Sequence, residues 1–383
     1  MSRLGHRFLF LFRVSDVEEV GLPKAIDAFA GAGGLSLGLC QAGFSVGLAF
    51  DHDPIAVATH EDNLDARAMV LDANSVSGGD LLALAGIARG ELDLLAGGPP
   101  CQGFSLQRRG ERSDPRNELV LRYLEWLSDM QPRAFLVENV AAITSVRGRA
   151  VISAVQEHAE NLGYSCELKV LDAADFGLAQ HRRRAFLVGI LGGKGAFKWP
   201  TPSAEHSCRT VRDAIGDLPS PPLDGSPHPE VANHYREARL SPLNEERISY
   251  VPQGGGRLDI PERLQLKCHQ GSHRHLDVYG RLAWDAPSGT ITARFDSFTR
   301  GRFAHPIENR SLTIREGARL QGFPDDFVFR GNREAAARQV GNAVPPPLAY
   351  QLGVAIRSAL NAVDQDNALE SSPTLVGSAE STA

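Results

Sequence analysis

Asp27-Ala28-Phe29-Ala30-Gly31-Ala32-Gly33-Gly34-Leu35 joins a short apolar run, Ala25–Phe29, to a helical pattern, Leu35–Ala42. Glycines at such a strand-to-helix turn let the backbone approach a ligand at a helix N-terminus, where unpaired N–H groups gather. The pattern is not a complete GxGxxG, because Ser36 takes the last place. Asp51 follows Gly31 by 20 residues, at the end of the next apolar run. A carboxylate there can take both hydroxyls of an adenosine ribose. His52 beside it can stack on adenine, and Asp72, after a third apolar run, can accept from the adenine amino group. These residues point to nucleoside binding and leave NAD and S-adenosylmethionine both open.

Around this turn the first half of the chain alternates short apolar runs with helical periodicity, the signature of a parallel sheet with crossover helices. Strands are predicted at Ala25–Phe29, Ser45–Phe50, Ala68–Leu71, Leu92–Ala96, Ala134–Glu138, Ser165–Leu171 and Ala185–Ile190. Helices are predicted at Leu35–Ala42, Pro54–Asn63, Glu118–Met130 and Val151–Leu162. The texture changes near Gly192, and from Pro200 to about His305 the chain is rich in Pro, Gly, His and Arg with weak periodicity. That stretch reads as a second, loop-rich domain. A helical pattern returns at Pro346–Leu360, and Asn361–Ala383 reads as a disordered acidic tail.

The 383 residues are 42% hydrophobic and 22% charged, which excludes low-complexity disorder for most of the chain. No run of 18 apolar residues is present, so no transmembrane helix is expected. Phe8–Phe12, behind Arg3 and Arg7, is too short for a signal peptide. The five cysteines (Cys40, Cys101, Cys166, Cys208 and Cys268) are odd in number and lack zinc-like spacing. A reduced cytoplasmic protein without a structural metal is therefore expected. Net charge is −6, yet Arg263–Arg319 holds ten Lys and Arg against five Asp and Glu. A locally basic stretch in an acidic chain is compatible with a nucleic-acid partner.

Three further constellations carry chemistry. Gly97-Gly98-Pro99-Pro100-Cys101-Gln102-Gly103-Phe104-Ser105 follows a predicted strand directly. It places a thiol on a stiffened loop at a carboxyl strand end, where ligands bind in open α/β sheets. Phe135-Leu136-Val137-Glu138-Asn139-Val140 puts an acid at the end of an apolar strand, where it can be held partly buried and give a proton to a substrate nitrogen. In Gln180-His181-Arg182-Arg183-Arg184, Arg182 and Arg184 share one face of an extended chain and could hold a phosphate or a carbonyl oxygen.

Taken together and in order, these motifs resemble the DNA (cytosine-5) methyltransferases of bacterial type. Phe29–Gly34 resembles the family's cofactor motif, Pro99-Pro100-Cys101-Gln102 its nucleophile motif, and Glu138-Asn139-Val140 its acid motif. Gln180, Arg182 and Arg184 match its Q-x-R-x-R. Arg310–Pro324 resembles the late motif that braces the two domains, and Gln339-Val-Gly341-Asn342-Ala-Val-Pro345 the final motif that returns to the cofactor site. The likeness covers about Lys24 to Leu360. It departs from the family in the extra N-terminal 23 residues and at His52, where an aromatic ring is common.

The resemblance implies an α/β fold: a Rossmann-like methyltransferase domain, mostly parallel with helices on both faces, plus a smaller loop-rich target-recognition domain. It divides the chain into an extension (1–23), a catalytic and cofactor-binding domain (24–195), a recognition domain (196–306), a bracing segment (307–360) and a tail (361–383). The implied reaction moves a methyl group from S-adenosylmethionine to C5 of a cytosine flipped out of double-stranded DNA. Cys101 would attack C6, Glu138 would act at N3, Arg184 would hold O2 and Arg182 would support the loop. Cofactor contacts would fall to Phe29, Ala30, Gly31, Gly33, Gly34, Leu35, Asp51, His52, Asp72, Pro100, Leu119, Asn342 and Ala343. DNA contacts would fall to Ser105, Arg281, Thr290, Ile291, Arg294, Arg300 and Arg302, with Gln107–Asn117 closing over the base. No metal is implied. A monomer in the cytoplasm, associated with the nucleoid, is expected, either serving a restriction-modification system beside a separate cognate endonuclease or acting alone. The rival within the superfamily is a tRNA cytosine-5 methyltransferase, whose Cys-Phe-Thr element is absent from this sequence. A dinucleotide-dependent oxidoreductase would leave Cys101, Glu138 and the late motifs without a role.

Overall fold

The structure, a computed structural model, describes residues 21–100, 118–146, 148–202, 209–237, 240–267 and 276–371. The N-terminal extension, Cys101, Ser105, the Gln107–Asn117 loop, Cys208, Cys268 and the last twelve residues lie outside the described residues.

The first half alternates strand and helix: β1 (Lys24–Ala28), α1 (Gly34–Gln41), β2 (Ser45–Asp51), α2 (Pro54–Asn63), β3 (Ala68–Val70), α3 (Gly78–Ala85), β4 (Leu94–Gly97), α4 (Glu118–Met130), β5 (Ala134–Val140), α5 (Arg149–Asn161), β6 (Tyr164–Asp172) and β7 (Arg183–Leu191). One seven-stranded sheet results, in the order β3-β2-β1-β4-β5-β7-β6. Strands β1 to β5 pair in parallel, whereas β7 runs antiparallel between β5 and β6. The central strands are buried on both faces, which is why they read as unbroken apolar runs rather than alternating ones.

Each face of the sheet has its own apolar layer. Leu35 and Leu39 of α1 pack with Leu348, Leu352 and Ile356 on one face. On the other, Leu81 of α3, Trp126 and Leu127 of α4 and Ile152 of α5 pack together. Helix α3 (Gly78–Ala85) is not foreseen by periodicity. Its Ser77/Asp80 capping box, with both reciprocal bonds formed, is the sequence signal that identifies it.

From residue 209 onward regular structure is sparse: α6 (Val211–Ile215), α7 (Pro242–Ser249), β8 (Gly280–Arg281), β9 (Arg302–Ala304), α8 (Ile314–Leu320) and α9 (Arg333–Asn342). These elements close around a third apolar cluster that includes Phe295, Phe298, Phe323, Phe327 and Phe329. Ala32 of the glycine turn and Ala179 belong to the same cluster, so this lobe is seated against the carboxyl edge of the sheet.

The described residues end in α10 (Pro346–Ser371), which corrects the expectation of a disordered tail for Asn361–Ser371. The apolar stripe of Leu352, Ile356 and Leu360 continues to Val363 against the sheet layer. Arg133 then ties Asp364 at 2.5 Å. An acidic composition does not reveal that a cation from another element meets the helix there. Among the described residues no helix is long and apolar enough to cross a membrane.

Candidate active site

The glycine turn begins at Phe29, a non-glycine residue with a φ of +60°, and its ring rests on Phe50 and Trp126. Ala30 N–H donates to the Phe50 carbonyl at 3.0 Å, which bends the chain across the end of β2. Gly31 has a φ of +55° and open space where a Cβ would project, so the turn is accessible on that side. Gly34 is the opposite case. A Cβ there would come within 2.4 Å of the Val344 carbonyl and 3.1 Å of Ala343, so the final motif closes directly onto the turn. Leu35 is buried beneath it, and Asn342 is exposed at the end of α9.

Asp51 receives the Gly31 N–H on one oxygen and the Asp53 N–H on the other, each at 2.9 Å. His52 meets the same carboxylate at 3.0 Å and is otherwise 87% exposed. Asp72 is exposed at the end of β3 and caps the short helix Ala73–Ser75 through the Asn74 N–H. An acid, an imidazole and a second acid thus line the carboxyl ends of adjacent parallel strands beside an open glycine turn. This set fits an adenosine moiety: acceptors for ribose and base stand past β2 and β3, beside the glycine turn that follows β1 at the switch point between β1 and β4. Pro100 and Leu119 are half-buried on the two sides of the segment outside the described residues.

Beneath the turn lies a group that sequence reasoning passed over. Asp27 is completely buried and accepts the Ser36 hydroxyl at 2.6 Å, while its other oxygen has no partner. Burial pushes its carboxyl up to about 7. Ser36 in turn meets His60 Nε2 at 3.0 Å, and burial holds that imidazole down at about 4. The available signal was an ionisable residue inside the apolar run Ala25–Phe29.

Two strands farther along, Glu138 Oε1 accepts from Arg184 Nε at 2.9 Å, both side chains being largely shielded. A Cβ on Gly98 would lie 3.2 Å from Glu138 Oε2, so the acid stands against the loop three residues before Cys101. Asn139 fixes that loop by donating to the Pro99 carbonyl at 3.0 Å. The antiparallel register of β5 and β7, with Val140 opposite Arg184, is what brings acid and guanidinium together. An acid and a cation converging beside a Pro-stiffened loop can protonate and orient one polar heterocycle.

Arg182 does something different. Its guanidinium is buried and donates to the carbonyls of Ile291, Gly341 and Ala343 at 2.9–3.0 Å. Gln180 donates to the Leu320 carbonyl and accepts the Ile291 N–H. Thr290 gives its hydroxyl to the His181 carbonyl at 2.8 Å. Arg182 and Gln180 therefore rivet the sheet, the Thr290–Ile291 pair and the final motif into one unit. Arg182 positions this unit and holds no atom where a base could be gripped. Gln321, which donates to the Val340 and Ala343 carbonyls, serves the same junction and was not singled out by sequence.

The structure corrects two expected DNA contacts. Arg281 is 4% exposed and donates to the carbonyls of Ile248, Val251, His305 and Glu308 and to Asn309 Oδ1, all within 2.8 Å. Its donors are committed to the loops around it, leaving none for a phosphate. Ile291 is fully buried. Arg302 is partly committed as well, to the Gly254 carbonyl and to Asp277. Arg294 is half exposed between Asp296 and Glu334, and Arg300 is exposed. Among the described residues no group of three or more His, Cys, Asp or Glu side chains could hold a metal ion.

Residues 23–358 match the C-5 cytosine-specific DNA methylase family. The chain belongs to this family. It is 38% identical to the type II methyltransferase M1.HphI of Haemophilus parahaemolyticus, over 86% of each chain. It is 33% identical to the type II methyltransferase M.AgeI of Thalassovita gelatinovora, over 88% of this chain and all of that one. Among solved structures it resembles a putative DNA modification methyltransferase from an Escherichia coli prophage, with a TM-score of 0.63, 26% identity, and coverage of 88% of this chain and 99% of that one. The protein is thus a DNA cytosine-5 methyltransferase with the expected Rossmann-like sheet.

In this methyltransferase, Arg281→Met should lower stability by about 3 kcal/mol or more, because several buried carbonyls lose a charged donor. Thermal denaturation measures the loss, and the DNA word methylated by the surviving folded enzyme should be unchanged. A stable variant with a relaxed word would return Arg281 to the DNA surface.

Proposed function

We propose that the methyltransferase uses S-adenosylmethionine to methylate cytosine within a specific double-stranded DNA sequence, through a covalent adduct between Cys101 and C6. The single observation that carries this reading is the Glu138–Arg184 pair beside Gly98, three residues before Cys101. Cytosine C5 is a poor nucleophile. Attack by the Cys101 thiolate on C6, with a proton or strong hydrogen bond from Glu138 at N3, turns the ring into an enamine nucleophilic at C5. Arg184, already oriented by Glu138, would hold O2. The cofactor, when bound along Phe29–Leu35, Asp51, His52 and Asp72, supplies a methyl group on a sulfonium. After transfer, a base removes the C5 proton and the thiolate leaves. The ring edge is inaccessible inside a duplex, so the nucleotide must be extruded, at a cost of a few kcal/mol.

Labelled methyl from S-adenosylmethionine should appear in DNA and not in tRNA. Label in tRNA alone would overturn the assignment of substrate. Asp51→Ala should weaken S-adenosylmethionine binding by roughly 1–3 kcal/mol, the usual cost of leaving polar ligand groups unpaired. An unchanged calorimetric dissociation constant would remove Asp51 from the ribose.

Specificity is assigned to the segment from about Pro200 to Pro306. The catalytic half grips a base already out of the stack and must treat every cytosine alike. The second lobe carries the locally basic stretch and presents Arg294, Arg300 and Arg302 at least partly to solvent. Thr290 sits at its junction with the sheet. Exchanging this segment for that of a relative with another specificity should transfer the relative's word, as read by methylation mapping. Persistence of the original word would place recognition in the first half. A separate cognate endonuclease, a monomeric state and action at the nucleoid complete the proposal.

A further inference from the structure

We propose that Arg338 of α9 is a positioning residue for the cofactor site: by holding Asp53 from the second lobe, it fixes the backbone N–H that orients the Asp51 carboxylate toward the ribose. The proposal rests on the S-adenosylmethionine reading above and concerns a residue to which that reading gives no role. Asp51 ends β2, and Asp53 caps α2 two residues later. One Asp51 oxygen accepts the Gly31 N–H and the other the Asp53 N–H. The carboxylate is thus held from two sides, by the glycine turn and by the start of α2. An acceptor fixed in this way binds a pair of hydroxyls without the cost of ordering it first.

The α2 side depends on how Asp53 is held. Its Oδ1 caps the helix by accepting the Ile55 N–H at 2.9 Å, and its Oδ2 accepts from Arg338 Nη2 at 3.0 Å. Partial burial opposes its charge, yet the Arg338 guanidinium and the Ile55 amide hold the Asp53 carboxyl below its ordinary value. Among the described residues, Arg338 is the only side chain from outside β2 and α2 that bonds to Asp53. Helix α9 is itself firmly seated. Ala336, Ala337 and Val340 are fully buried in the second lobe, and a Cβ on Gly341 would come within 2.2 Å of the Thr292 backbone. Arg338 precedes Asn342 by four residues, so the two share one exposed side of the helix. A second tie joins the same helix to the same lobe, at the end away from Asp51. There Arg330 pairs with Asp62 at 2.8 Å, and Asn63 donates to the Val328 carbonyl at 2.9 Å and accepts its N–H at 2.7 Å. That tie attaches α2 without reaching the ribose acid, whereas Arg338 does both.

The test is titration calorimetry of the intact enzyme with S-adenosylmethionine. Arg338→Met should raise the dissociation constant by about twofold to fivefold, the reach of a half-exposed ion pair. Arg338→Lys should recover most of the loss, because the contact uses a single donor to Asp53 Oδ2. Arg330→Met should bind as the wild type does. The deciding arm is the double variant Asp51→Ala/Arg338→Met, which should bind no more weakly than Asp51→Ala alone, because Arg338 acts only through Asp51. Asp53→Asn keeps the helix cap and removes the charge; it should reproduce Arg338→Met, and it takes that variant's place if Arg338→Met does not fold. Wild-type affinity in Arg338→Met overturns the proposal. So does a penalty that persists in full on the Asp51→Ala background, or an equal penalty in Arg330→Met, since either would reduce Arg338 to attachment of the lobe. Wild-type affinity in Asp51→Ala would instead overturn the ribose reading on which the proposal stands.

Discussion

Cys101→Ala should reduce methyl transfer by roughly a thousandfold or more, because no other group can add to C6 and the covalent route has no substitute. S-adenosylmethionine affinity should be nearly unchanged, since the proposal assigns the thiol to the base and the cofactor contacts to the glycine turn, Asp51 and His52. Single-turnover transfer of labelled methyl, paired with calorimetry, separates the two effects. An alanine variant that turns over robustly would remove Cys101 from the mechanism. One that loses cofactor binding in parallel would make the Cys101 loop part of the cofactor pocket.

Glu138→Gln should lower the rate of transfer by about a hundredfold to ten-thousandfold, the range for a positioned acid. The amide is isosteric and can still accept from Arg184, so the loss should fall on kcat with little change in stability. Arg184→Ala should be of similar severity. Because the two side chains touch at 2.9 Å and would act on one ring, the double variant should be little worse than the worse single one. Fully multiplicative losses would mean that the pair serves two separate steps.

The sheet was legible because its chemistry is local. Each central strand is an apolar run bounded by turn residues, and Pro54–Asn63 and Glu118–Met130 match the observed helices end for end. The candidate site residues were picked out for the same reason, since Asp51 ends β2, the glycine turn follows β1 and Glu138 lies two residues before the end of β5. The second lobe was not. It is held together less by periodic apolar faces than by buried arginines tied to backbone oxygens: Arg281 to the loops around β8 and β9, Arg315 to the carbonyls of Ala232, Pro324 and Phe327, and Arg333 to those of Tyr235 and Leu312. A guanidinium fork suits a cluster of carbonyls as well as a phosphate or a guanine edge. Composition therefore could not tell Arg281, which braces the lobe, from Arg300, which is exposed. Asp27 was hidden by the reverse effect: one acid within an apolar strand reads as a solvated strand end unless its burial is known.

The account turns on the attack of Cys101 on cytosine. Duplex DNA carrying 5-fluorocytosine at the methylated position, incubated with enzyme and S-adenosylmethionine, tests it most directly, because fluorine cannot leave as a proton and the adduct stays closed. A denaturation-resistant protein–DNA complex should form, and proteolysis with mass spectrometry should place the modified, methylated nucleotide on the peptide containing Cys101. Methylation of ordinary DNA without any trapped complex, or an adduct on Cys40, Cys166, Cys208 or Cys268, would contradict it.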